Sequence, residues 1–363
     1  MRTRIPLLAL MASSLVSAQP VSAQTPPSAA DMTIDAATRT AVIDGALEAL
    51  RAFYVYPDVA AKMADAIPQR QQQREYDAIA SARTFADKLT SDLQAVSHDK
   101  HLRVGYSAEV LPPMAMPQGP PPPAALERMR AALSQVNFGF ERVERLAGNV
   151  GYLDLRAFAP PAVMGDTAAA AMTFLANADA LIIDLRQNGG GSPDGVALVA
   201  TYLFGADPVR LNDIYDRPSD ETRQFRTLPY VPGKRFVDKD VYVLTSARTF
   251  SAAEDFTYAV KNLKRATIVG EVTGGGAHPG GPHRLTDHFM IGVPAGRSIS
   301  SVTHTDWEGV GVEPDIKVAA DKALATAHLK ALEKRAATAD PRFKREIDTA
   351  IERLKKELSG SQG

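Results

Sequence analysis

Cysteine is absent from the chain. That absence excludes a disulfide framework, a thiol nucleophile, a thiolate-held metal and a lipid-anchored cysteine behind a leader. Net charge is nearly missing too: 41 Lys+Arg against 42 Asp+Glu leave −1 at pH 7. Neither nucleic acid nor an anionic membrane surface is therefore an expected partner. The apolar run from Ile5 to Leu15 is too short to span a bilayer. No Gly-x-Ser-x-Gly elbow occurs, which argues against an ordinary α/β-hydrolase. No internal repeat is visible.

What is present is ordinary for a globular chain, 45% hydrophobic and 23% charged over 363 residues, enough for two domains. Arg2 and Arg4 precede the short apolar run, and Val21-Ser22-Ala23 follows it. This reads as a secretory signal over 1–23, cleaved after Ala23 with Ala18 as the alternative, and implies a periplasmic or secreted protein. Residues 24–110 read as a small helical domain. Apolar steps of three and four run through Val42, Ile43, Ala46, Leu47 and Leu50, with further helices from Val59 and Phe85 and a strand at Leu102–Tyr106. Residues 111–136 hold a proline-rich linker, extended from Leu111 to Ala124. Strand and helix patterns then alternate over 137–320, which predicts an α/β core with a partly parallel sheet. Residues 321–363 read as a charged, peripheral helical tail, with His328 on a solvated face.

The most informative stretch is Asp184-Leu185-Arg186-Gln187-Asn188-Gly189-Gly190-Gly191. It ends a buried strand and leads into a helix, where bare N–H groups suit an anion or a developing oxyanion. No Gly-Lys-Ser/Thr follows, so a phosphate loop is not expected. Asp184 and Arg186 read as a charge pair holding the turn. A second strand ends at Thr245 and delivers Ser251 to the start of a helix. There Ser251 is either an activated nucleophile or the cap of a Ser251-x-x-Glu254 capping box. The chain offers seven histidines. His278, His283 and His288 recur every five residues and raise a metal-assisted hydrolase as an alternative, although the spacing suits no regular ligand geometry.

Taken together these segments resemble the C-terminal-processing (tail-specific) serine peptidase family, in the branch of the tricorn core protease and interphotoreceptor retinoid-binding protein. The resemblance rests on Asp99-Lys100-His101, Gly151-Tyr152-Leu153, Asp184 to Gly191, Thr245 to Glu254, Gly270 to Gly274 and Gly309 to Asp315. It implies a crotonase/ClpP-like spiral core behind a helical N-terminal domain, with Ser251 as nucleophile. Ala252 and Gly189 or Gly190 would supply the oxyanion hole. Many members pair the serine with a lysine; here Thr273-Gly274-Gly275-Gly276-Ala277-His278 carries none. The tricorn-like pattern instead implies His101 as base and Glu308 as acid, with Lys100 where that branch has a serine. His98 and His278 are the rival bases. Between Tyr106 and Val150 there is too little chain for an inserted peptide-binding module. The resemblance implies a peptide or unfolded-protein substrate and no cofactor. A non-catalytic binder of hydrophobic ligands on the same fold is the other reading.

Overall fold

A computed structural model describes residues 31–113 and 122–360; the expected signal segment lies outside them. The N-terminal helices are α1 (Ala36–Phe53), α2 (Pro57–Gln72) and α3 (Ala82–Ser97). Each start has a local cause. The Asp35 side chain accepts from Thr38 N at 2.8 Å, Ser81 Oγ accepts from Thr84 N at 3.0 Å, and Pro57 occupies the first turn of α2. Strand β1 (Arg103–Tyr106) follows. Helix α4 (Pro123–Ser134) then occupies the second half of the stretch expected to be linker, again with proline in its first turn.

The main sheet combines β2 (Phe140–Leu146), β3 (Val150–Leu155), β4 (Ala180–Asp184), β7 (Asp240–Thr245), β8 (Thr267–Gly270) and β12 (Ile316–Lys317). From β3 to β12 all neighbours are parallel, and β2 is an antiparallel edge. Its central strands alternate strictly. Leu181, Ile183, Val241 and Val243 enter one core, whereas Ala180, Ile182, Tyr242 and Leu244 enter another. Such strands are buried on both faces, so helices must cover both. Helices α5 (Pro161–Leu175), α6 (Pro193–Thr201) and α7 (Ala252–Asn262) cover the first face. Helices α8 (Ala323–Ala336) and α9 (Pro341–Gly360) cover the second. The C-terminal helices are therefore part of the core and not the peripheral tail that their charge suggests. His328 is buried at 4% exposure, with Nε2 at 2.9 Å from the Ala147 carbonyl. Burying each such aliphatic side chain contributes about 2 kcal/mol.

Two three-stranded antiparallel sheets complete the fold. One joins β5 (Arg210–Asp216), β6 (Glu221–Arg226) and β11 (Gly296–Ser300) in the order β11-β5-β6. The other joins β1 to the hairpin of β9 (Gly280–Arg284) and β10 (Phe289–Pro294). Phe289, Ile291 and Val293 enter the same core as the N-terminal helices, so a hairpin from far along the chain closes that unit. This clamps the segment after α3 against the loops of the main sheet, which places His101 at the site.

Candidate active site

The site lies beyond the carboxyl ends of β4, β7 and β8, the crevice side of a parallel sheet. After β4, Arg186 pairs with Asp184 (Nη2 to Oδ2, 2.6 Å), and Tyr152 donates to the same carboxylate at 2.8 Å. Asn188, fully buried, shapes the glycine turn. Its Nδ2 donates to the Leu155 carbonyl at 2.9 Å, its Oδ1 accepts from Gly190 N at 2.8 Å, and its carbonyl accepts from Phe250 N at 3.1 Å. The Gly190 amide expected to face an oxyanion is thus engaged by Asn188. What Gly190 supplies is space: at φ +114°, a Cβ there would stand 2.8 Å from Ser251 Cβ and 3.0 Å from Ala252 N. Gly191, part of the same glycine run but not assigned to the oxyanion hole from the sequence, lines the cavity instead.

After β7, Ser251 immediately precedes α7 with φ 55° and ψ −122°, a strained conformation for a residue with a side chain. Glu254 holds it there. This carboxylate, with no exposure, accepts from Ser251 N (2.9 Å), Thr273 Oγ1 (2.5 Å), Gly275 N (2.6 Å) and Gly276 N (2.9 Å). Burial raises its pKa, and those four donors oppose the rise. Glu254 thus ties the Ser251 turn to the loop after β8. The Ala252 amide, first in the helix, has no partner within it.

His101 and Ser251 line one cavity of about 200 Å3. The imidazole lies against Phe250, with ring centroids 4.5 Å apart and planes 32° apart. Gly276 permits this approach: a Cβ there would fall 2.6 Å from His101 Cε1. Both His101 ring nitrogens are buried without a hydrogen-bond partner. Burial pulls its pKa down to about 4, against the opposing pull of Asp99, so the ring is neutral at pH 7. Glu308 accepts from Ala277 N through Oε2, while its Oε1 is also buried and unpartnered. Burial pushes the Glu308 carboxyl up to about 7; His278 opposes and Asp99 adds to the rise.

One atom each of Asp99, His101 and Glu308 lie within 4.8 Å of one another. Asp99 is already committed, accepting from Tyr54 (3.2 Å), His278 Nδ1 (2.8 Å) and His101 N (3.0 Å). Those bonds occupy Asp99 oxygens that a metal ion would need. His278 Nδ1 also stands 3.6 Å from Glu308 Oε2, bridging the two acids. Burial works against its protonation, but the Asp99 hydrogen bond and both carboxylates outweigh that and raise its pKa.

The three histidines weighed as metal ligands are not gathered. His283 stacks on Phe53 at 4.2 Å between centroids, and His288 Nδ1 is 3.0 Å from the Ser107 carbonyl. His98 is an exposed left-handed cap at the end of α3. Lys100 reaches the Gly274 carbonyl at 2.5 Å, so it anchors the glycine loop and does not bridge to Glu308. Asp99 and His278 as a buried pair escape sequence reasoning, since 179 positions separate them.

Residues 149–318 match the model described as Peptidase family S41, and residues 32–138 match the N-terminal domain of Peptidase_S41 in eukaryotic IRBP. The chain is 30% identical over 173 residues to carboxyl-terminal-processing peptidase 2, chloroplastic, of Arabidopsis thaliana, covering 46% of this chain and 31% of that protein. It is 32% identical over 104 residues to the tail-specific protease of Haemophilus influenzae, covering 27% of this chain and 13% of that protein. The matches thus span about a third or less of these relatives. Among solved structures, a putative peptidase from Parabacteroides merdae superposes with a TM-score of 0.57 at 18% identity, covering 83% of this chain and 99% of that one. A lipoprotein from Streptococcus agalactiae follows with a TM-score of 0.52 at 13% identity, covering 82% and 96%. These two show a shared fold. By the two successive matches over its N-terminal and central regions, the chain belongs to peptidase family S41.

Proposed function

We propose that the protein is an exported serine-type peptidase in which Ser251, His101 and Glu308 carry the reaction. The single observation that carries this reading is the shared cavity: a strained serine at a helix start and a neutral, unpartnered imidazole line the same small space. The hydrogen bonds from Ser251 to His101 and from His101 to Glu308 are not made in this structure, and such contacts commonly tighten only with substrate bound.

In the reaction, Ser251 Oγ attacks the peptide carbonyl carbon and His101 takes its proton. Glu308 fixes the ring and stabilises the imidazolium. The developing oxyanion is held by the Ala252 amide and a glycine amide, Gly191 or Gly189, because Gly190 donates to Asn188. His101 then protonates the leaving amine, and water hydrolyses the acyl-serine with His101 again as base. The reaction as written needs no cofactor, and the substrate is a peptide or an unfolded protein.

No helix among the described residues is long and apolar enough to cross a membrane. Incubation with an unfolded protein such as reduced casein tests the reading. New peptides, lost in Ser251→Ala, are expected; equal cleavage by the folded variant would overturn the assignment of Ser251.

A further inference from the structure

The cavity beside Ser251 has an acidic floor. Asp255 lies four residues after Ser251, so both occupy one face of the first turns of α7, with Asp255 about one helical pitch further along. Around them the cavity is closed by Ala252, Ile214, Ser298 and Trp307. Asp255 is 8% exposed, and one side-chain partner holds it: Asn212 Nδ2, 2.6 Å from Oδ1, which also donates to the Asp255 carbonyl at 3.0 Å. Burial pushes its carboxyl up to about 6, with Asn212 opposing. An ionised carboxylate in so apolar a place is costly until a cation meets it.

No cation of the protein pairs with Asp255 among the described residues, whereas Asp213, next to Asn212 in the chain, is paired with Arg210. The volume of about 200 Å3 suits one extended side chain more than a drug-sized ligand.

We propose that Asp255 is a specificity-determining residue, and that this cavity receives a cationic side chain, lysine or arginine, of the substrate residue whose carbonyl Ser251 attacks. The inference rests on the peptidase reading for the direction of the substrate, but the pocket itself can be probed without catalysis. In the complex the cation replaces the missing counter-charge, while Asn212 holds Oδ1 and leaves the second carboxylate oxygen for the cation. A neutral side chain of equal length leaves the carboxylate buried and unpaired, which disfavours it.

Two measurements test this. The first compares kcat/KM for peptides that differ only in lysine or norleucine at the residue preceding the cut. Lysine is expected to be preferred by about 100-fold or more, and Asp255→Asn to reduce that preference to within a few fold while cleavage of the norleucine peptide persists. Equal rates for the two peptides, or an unchanged ratio in a folded Asp255→Asn variant, would overturn the inference and leave the peptidase reading intact. The second measures binding of the same peptides to Ser251→Ala by calorimetry. Tighter binding of the lysine peptide, lost in Ser251→Ala/Asp255→Asn, supports the pocket whether or not turnover is seen. Equal binding overturns it.

Discussion

His278 and Asp99 form a buried hydrogen-bonded pair, Nδ1 to Oδ2 at 2.8 Å, across 179 positions of sequence. The pair joins the segment carrying His101 to the loop after β8, and His278 extends it to Glu308 at 3.6 Å. Asp99 also accepts from the His101 main chain, so His101 is held by a residue two places before it. On the proposed reading His278, a rival base from sequence alone, acts as a positioning residue.

Breaking the pair should therefore slow chemistry more than binding. Asp99→Asn and His278→Ala are expected to lower kcat by on the order of 100-fold with little change in KM, the scale set by small misplacements of a catalytic group. Steady-state kinetics on variants of unchanged circular dichroism checks this. A purely structural role would instead lower stability and leave kcat per folded molecule unchanged.

The pH profile should follow Glu308. Its carboxyl is pushed up to about 7, mainly by burial, while His101 is held near 4 and is already neutral there. Activity that needs ionised Glu308 then rises with pH through about 7, and Glu308→Gln flattens the profile. The stability contribution runs the other way. A carboxyl whose folded pKa is raised stabilises the fold fully below its unfolded value near 4.5, and that contribution is lost as pH rises through 7. Glu308→Gln should therefore melt higher than the parent at pH 8, measured by thermal unfolding.

Glu254 offers a test of stability. It satisfies four donors from two segments with no exposure. Glu254→Ala would leave those donors unpaired and is expected to cost about 3 kcal/mol in denaturant unfolding.

Gly190→Ala probes the oxyanion turn. The added methyl meets Ser251 Cβ at 2.8 Å at a backbone φ of +114°, so Ala252 and Ser251 must shift. A fall in kcat of at least about 100-fold is expected, comparable to removing an oxyanion donor.

Much of this was legible in the sequence. The glycine turn, the Ser251 helix start and the parallel α/β order follow from local signals: apolar runs of five residues ending in Gly or Ser, and helices announced by Pro, Asp or Ser. Strands β5, β6 and β9 were not. Their Arg, Asp, Gly and Pro content lacks alternation, and they are formed by pairing with distant strands. Helices α8 and α9 read as a tail because their charged outer faces hide that the sheet needs a second cover. Within the site, resemblance supplied His101 and Glu308, and their approach to within 4.8 Å is tertiary. Asp255 carries no local signature, and the pairing of Asp99 with His278 arises from burial and from contact across the chain.

The most direct measurement of the central claim is fluorophosphonate labelling followed by peptide mapping. The expected result is one adduct, on Ser251, absent from Ser251→Ala and strongly slowed in His101→Ala. An unlabelled Ser251 in folded protein, or a label on Ser251 at an equal rate without His101, would contradict it.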